Sequence, residues 1–162
     1  MNIRAATTED APAIAEIYNH YIQSSHATFE LEEISIDEMS VRMDSVIRGG
    51  YPFWVAGPGN DVVGYSYAHP WRPRAAYERT VEISIYLRPG HYGKGIATNL
   101  YTQLFEVMRQ REYHAVIAGI SLPNDASVRL HEKFGMKKVA HFNEVGRKFD
   151  RWIDVGYWEL IL

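Results

Sequence analysis

The chain has 162 residues, 46% of them hydrophobic and 23% charged, which suits one domain with a core of its own. Lys and Arg number 17 against 20 Asp and Glu, a net charge of −3 with His neutral, and that balance argues against a protein gripping nucleic acid through bulk positive charge. The absence of cysteine excludes disulfide scaffolds, thiolate zinc sites, iron–sulfur clusters and a cysteine nucleophile. The start lacks an apolar signal core and no run of about 18 apolar residues occurs, so a soluble cytoplasmic chain without a membrane partner is expected.

Residues 2–6 read as a strand. Thr7, Thr8 and Asp10 are candidate N-caps, Pro12 suits a first turn, and Ile14, Ile17, Tyr18, Tyr21 and Ile22 recur at helical spacing. A loop over 24–34 follows. Ser35 with Glu38 has the capping-box pattern, opening a second helix that ends at Gly49-Gly50. Residues 51–57 and 62–69 read as hairpin strands around a turn at Pro58 to Asp61. A fourth strand spans 80–87, and Leu100, Tyr101, Leu104, Phe105 and Met108 trace one face of a helix beginning at Ile96. The nearly all-apolar run 115–120 predicts a strand buried inside a mixed sheet. Residues 124–134 read as a helix closed by Gly135, and 136–144 and 152–162 as the last two strands. Between these two, Gly146 to Trp152 reads as a charged joining loop.

Gly90-His91-Tyr92-Gly93-Lys94-Gly95-Ile96-Ala97-Thr98 is the most informative local signal. It lies between a strand and a helix, where glycines admit close approach of a ligand and exposed amides can bind phosphate. It can equally be a glycine-rich turn with no ligand. Two better-known phosphate motifs fail. Ile96 follows Gly95 where a Walker A loop needs Ser or Thr after Lys, and the dinucleotide fingerprint lacks its third glycine at Thr98 and its acidic residue near Ile120-Ser121.

Tyr92-Gly93-Lys94-Gly95-Ile96-Ala97 resembles the Arg/Gln-x-x-Gly-x-Gly/Ala signature of the GNAT-superfamily N-acetyltransferases, with Tyr92 departing from the usual Arg or Gln. Four further segments, 70–77, 80–87, 122–132 and 152–158, resemble the phosphinothricin N-acetyltransferase group, which includes enzymes acting on methionine sulfoximine and sulfone. The resemblance covers essentially the whole chain. It implies a single mixed α/β domain of GNAT fold, residues 1–162, with about seven strands and about four helices. It also implies acetyl-CoA as co-substrate and no metal. The pyrophosphate would lie on Tyr92 to Thr98, and the pantetheine arm would meet Asn124 and backbone groups of Ile85, Tyr86 and Leu87, with Lys133 also on the cofactor side. A backbone amide near Leu87 is the implied oxyanion donor.

Glu82 stands in the apolar strand 80–87, with Ser84 and Tyr86 on its face and Val81, Ile83 and Ile85 on the other. A carboxylate there is either solvated or set in a pocket. The resemblance implies that it accepts the proton of the attacking amine, directly or through water. A lone helical His such as His131 is ordinarily a surface or capped residue. The resemblance places it where a Tyr of the superfamily protonates the departing thiolate, a task open to imidazolium.

Arg72 and Arg74 carry guanidinium forks that suit carboxylate and phosphinate groups, or else form a solvated basic loop. The resemblance assigns Arg72, Arg74, Tyr77, Glu82 and Ser84 to the substrate, with Phe29 as an apolar wall and Thr28 and Glu30 beside it. It also implies a homodimer, with the segment 146–152 near the subunit boundary or the active site. An acetyltransferase for another amine, a peptide or a protein, and a non-catalytic acyl-CoA sensor, stay open as alternatives.

Overall fold

The computed structural model describes residues 1–162. Seven strands form one mixed sheet: β1 (Asn2–Ala5), β2 (Phe53–Gly57), β3 (Gly64–Pro70), β4 (Thr80–Leu87), β5 (Ala115–Leu122), β6 (Lys137–Lys148) and β7 (Arg151–Ile161). Their order across the sheet is β1-β2-β3-β4-β5-β7-β6. Four α-helices accompany them, α1 (Ala11–Ser24), α2 (Ile36–Arg48), α3 (Ile96–Gln110) and α4 (Asp125–Lys133). Elements follow the chain in the predicted order. β5 is the inner strand that its apolar run demands, parallel to β4 on one side and antiparallel to β7 on the other. No helix is long and apolar enough to cross a membrane.

The chain forms two compact units. The first comprises Met1–Asn19, Ile34–His69 and Ile83–Glu112. Its core sits under α3, whose Ile96, Leu100, Tyr101, Leu104, Phe105 and Met108 are all buried, the face set by the helical period of the sequence. Val55 and Ala56 of β2 and Tyr65 and Ala68 of β3 are buried in the same unit. Ser35 caps α2, its side chain accepting from the Glu38 amide at 3.0 Å, while the Glu38 carboxylate turns forward to Arg42 at 2.9 Å.

Asp10, 6% exposed, ties β1 to the start of α1. It accepts both Arg4 guanidinium nitrogens, at 2.8 and 2.6 Å, and the Thr7 amide at 2.9 Å. Burial alone would raise its pKa, but these bonds and the charge of Arg4 outweigh it and hold the carboxyl below the ordinary Asp value. A lowered pKa means that the folded state prefers the anion. The stabilisation is present above the unfolded pKa near ~4 and disappears as pH falls through the folded value. Asp10→Asn is expected to cost about 1.5–3 kcal/mol at neutral pH, toward the lower end because Arg4 is a third exposed. Thermal melts from neutral pH down into the acid range check this, because the variant should lose less stability on acidification than the parent.

The second unit comprises His20–Glu33, Pro70–Glu82 and Tyr113–Leu162. Here β5, β7 and β6 form an antiparallel ribbon beside the first residues of β4, with Thr80, Val81 and Glu82 paired to Ala115, Val116 and Ile117. The expected charged loop at 146–152 is a correction. β6 runs on to Lys148, and a two-residue turn, Phe149-Asp150, leads directly into β7. Both turn residues have positive φ, 51° and 56°, the handedness that matches the twist of a hairpin. β6 also shifts register between Lys138 and Ala140 and between Phe142 and Gly146, and such bulges bend a strand and re-aim its side chains.

Candidate active site

Within the second unit a cleft of about 660 Å³ opens over β4, β5, β7 and the bulged stretch of β6. Its floor is set by alternation. Glu82 pairs with Ile117, and Ile117, Gly119 and Ser121 all line the cleft, as do Val155 and Tyr157 of β7. Val139, Ala140, Phe142 and Val145 reach it from β6, around the two register shifts.

Gly119 makes the room. A Cβ on it would lie 3.1 Å from the Tyr157 ring and 3.5 Å from Glu82 Oε1, so its missing side chain is the space between carboxylate and phenol. Gly119→Val is expected to raise the KM for the amine acceptor by about 10–100-fold through displacement of these two groups. The KM for the acyl donor should hardly move, and steady-state kinetics with each substrate varied in turn checks the split.

Three charged or ionisable groups meet here. Arg72 stacks on Trp71, its guanidinium carbon 4.8 Å from the ring centre, and Trp71 meets Tyr157 edge to face at 5.7 Å. Burial and then the negative charge of Glu82 push the Tyr157 phenol above its ordinary pKa, with Arg72 opposing. Glu82 and Arg72 thus both lie within electrostatic reach of the Tyr157 phenol.

The loop after α1 supplies the other wall through His26, Ala27 and Phe29. Two contacts with the β6–β7 hairpin hold it. The Phe29 ring lies on Gly146, where a Cβ would sit 2.4 Å away. Lys148, 3% exposed, donates from Nζ to the Thr28 carbonyl at 2.8 Å and toward the Tyr21 carbonyl at 3.5 Å. Burial lowers the Lys148 pKa and the charge of Glu30 works against that shift.

Of the residues expected at the substrate, Phe29, Arg72 and Glu82 come together in this cleft. Arg74 caps a short 3₁₀ turn, Ala75–Tyr77, and neither it nor Tyr77 lines the cleft. Thr28 is buried and contributes its carbonyl to Lys148. The cleft also has lining residues that sequence reasoning passed over, His26, Trp71, Gly119, Ser121, Phe142, Val145 and Tyr157. A glycine inside an apolar strand was the available signal for Gly119.

His131, on α4 of this unit, is 3% exposed. Its Nδ1 donates to the Ser127 carbonyl at 2.7 Å, and burial pushes its pKa below the ordinary histidine value. The imidazolium considered from the sequence is therefore not its resting form near neutral pH. Asn124 caps the same helix, its Oδ1 accepting from the Ser127 amide at 3.2 Å, which leaves its amide hydrogens directed elsewhere. Lys133 is exposed at the helix end.

In the first unit, Ser84, Ile85 and Tyr86 are half-buried on β4 and Leu87 is buried. Beyond them Gly93 and Gly95 have φ of 72° and 77°, with nothing within 4 Å of the place a Cβ would take. Gly95 caps α3, and the first helical bond runs from the Asn99 amide to its carbonyl at 3.0 Å. The amides of Ile96 and Ala97 therefore lack helical acceptors and stand at the positive end of a 15-residue helix. Tyr92 and Lys94 flank them, both exposed. This open cradle of amides and one cation fits a diphosphate.

A family model described as an acetyltransferase (GNAT) domain matches residues 3–156. The chain belongs to the GNAT acetyltransferase family. It is an acyltransferase of mixed α/β fold, and GNAT enzymes use acetyl-CoA as acyl donor. Among curated relatives, a phosphinothricin N-acetyltransferase of Streptomyces coelicolor is 36% identical over 162 residues, covering 98% of this chain and 95% of the relative. An L-methionine sulfoximine/L-methionine sulfone acetyltransferase of Salmonella typhimurium is 35% identical, covering 100% and 95%. Among solved structures, a GNAT-superfamily phosphinothricin acetyltransferase of Sinorhizobium meliloti in complex with acetyl-CoA superposes with a TM-score of 0.96 at 33% identity, covering 99% of this chain and 88% of that one.

Proposed function

We propose that this GNAT enzyme transfers the acetyl group of acetyl-CoA to the α-amine of a small amino acid or analogue of the phosphinothricin, methionine sulfoximine or methionine sulfone type. The observation that carries the reading is Glu82 and Arg72 on one otherwise largely apolar cleft of about 660 Å³. A zwitterionic acceptor offers the complementary pair, an ammonium for the carboxylate and a carboxylate or phosphinate for the guanidinium. Arg72 is stacked on Trp71, which holds its fork in one orientation.

The acceptor amine is mostly ammonium near neutral pH and must lose a proton before it can attack. Glu82 takes that proton, directly or through water. The free amine then attacks the thioester carbonyl, the C–N bond forms, the C–S bond breaks, and the proton shed by the acylated nitrogen goes to the departing thiolate or to water. The chain has no cysteine, so no cysteinyl acyl-enzyme intervenes. The amides of Gly93 to Thr98 and Lys94 bind the pyrophosphate, with a phenol at Tyr92 in place of a guanidinium. The Asn124 amide hydrogens and the backbone of Ile85, Tyr86 and Leu87 serve the pantetheine arm.

Protonation of the thiolate by His131 requires the imidazolium, which burial disfavours. Under that role the rate falls as pH rises through the lowered pKa, and His131→Phe abolishes this limb of the pH–rate profile. A variant profile matching the parent would remove His131 from the chemistry.

The test of the function is thiol release from acetyl-CoA over a panel of amino acids, amino-acid analogues, polyamines, aminoglycosides and peptides. Turnover concentrated on amino acids with a polar or anionic tetrahedral side-chain end supports the reading. Activity confined to polyamines, aminoglycosides or peptide N-termini would refute the acceptor class.

A further inference from the structure

The loop after α1 brings a titratable side chain to the cleft that the chemistry above does not use. His26 Nδ1 lies 3.0 Å from Ser121 Oγ, and Ser121 Oγ donates to the His26 backbone carbonyl. A hydroxyl carries one proton and two lone pairs, so with that proton committed the one between Nδ1 and Oγ belongs to the ring. Burial, the positive charge of Arg151 and that of Lys148 all disfavour a second ring proton, while Arg72 and Glu82 are the charged groups lining the same cleft. The ring is thus the neutral Nδ1–H tautomer, and Nε2 presents a lone pair. Nε2 makes no hydrogen bond within the protein and is open to solvent.

Among the other polar groups of the cleft, Ser121 is spent on the His26 carbonyl, Arg72 and the Trp71 indole can only donate, Glu82 serves the amine, and the Tyr157 ring lies beside Glu82 across Gly119. Much of the remaining wall is apolar, with Phe29, Ile117, Val139, Phe142, Val145 and Val155.

We propose that His26 is a specificity-determining residue, its Nε2 accepting a hydrogen bond from the side-chain end of the acceptor amino acid. This rests on the amino-acid reading given above. The cleft then selects a side chain ending in an N–H donor. A sulfoximine and a sulfone have nearly the same shape, and differ in that the sulfoximine replaces one oxygen by N–H. Against a sulfone oxygen the Nε2 lone pair meets another lone pair, and a polar group left unmatched costs more than the bond is worth.

The test compares kcat/KM for L-methionine sulfoximine and L-methionine sulfone with acetyl-CoA, in the parent and three variants. The parent is expected to prefer the sulfoximine by about 10–100-fold. His26→Phe keeps a ring and removes the acceptor, and should bring the two substrates within a factor of about 2. His26→Gln, with a carbonyl that can accept, should restore part of the preference. Ser121→Ala removes the group that fixes the tautomer and should reduce the preference part-way with Nε2 still present, which a steric role for His26 does not explain. Equal rates in the parent, or a preference surviving in His26→Phe, would overturn the proposal while the acceptor class stands. Turnover of neither compound, with some other amine acetylated, overturns the acceptor class and this inference together.

Discussion

Glu82→Gln is expected to lower kcat by about 10²–10⁴-fold, the range that a positioned general base contributes. The substitution keeps the shape and the hydrogen-bonding reach of the side chain while removing its capacity to take a proton. Glu82 is fixed on β4 by its pairing with Ile117, and its neighbour Gly119 leaves the cleft side open, so the amide should occupy the place of the carboxylate without repacking. The KM for acetyl-CoA should stay close to that of the parent, because the amides proposed to bind the diphosphate lie on another element. The Tyr157 phenol offers a second readout. Glu82 is one of the causes that raise its pKa, and removing that charge should lower the pKa, which a spectroscopic titration of the tyrosines detects. Unchanged turnover with a shifted Tyr157 would show that the carboxylate was removed from the cleft and was not the base. The pH–rate profile adds a sign. A base must be deprotonated to act, so the parent should lose activity on acidification, and the variant should lack that limb.

The element order was readable because each helix and strand carries its own period. The stripe from Ile96 to Met108 could only be one face of a helix, and residues 115–120 are too apolar for an edge strand. The glycine-rich turn was also legible, since positive φ at Gly93 and Gly95 is what those residues are for. The cleft was legible only in part. Glu82 stood out as a carboxylate in an apolar strand, but Gly119, Ser121, Trp71 and Tyr157 meet it through strand pairing and ring contacts, which local pattern does not encode. His26 and Ser121 are 95 positions apart, so nothing near either residue announces the other. The hairpin at Phe149-Asp150 was hidden for a different reason. Positive φ is ordinarily signalled by Gly, Asn or Asp, and here the first turn residue, Phe149, is none of them. Its charges then read as a solvated loop, although one of them, Lys148, is buried.

That buried charge gives the other large effect. Lys148→Met is expected to raise the KM for the amine acceptor by about 10–100-fold, with a smaller change in kcat and none in the KM for acetyl-CoA. Methionine fills most of the space of the lysine stem but donates nothing. The Thr28 carbonyl then loses its 2.8 Å donor, whereas the Tyr21 carbonyl keeps the Ser25 amide at 3.1 Å, and a buried hydrogen bond lost in this way costs about 1–3 kcal/mol. The chain can recover that cost by letting the loop move until water reaches the Thr28 carbonyl. Such movement carries His26 and Phe29 away from the cleft, and Phe29 loses its seat on Gly146. The KM of the acceptor is therefore the parameter that should respond. A loop that opens by itself unfolds little else, so the thermal midpoint should fall modestly, and amide hydrogen exchange should rise over residues 25–30 more than over β5. Lys148→Arg keeps the charge and the donors, and should hold the acceptor KM nearer the parent value. An acceptor KM unchanged in Lys148→Met would mean that the hairpin does not position the loop. A general loss of stability with uniform exchange would make Lys148 a part of the core alone.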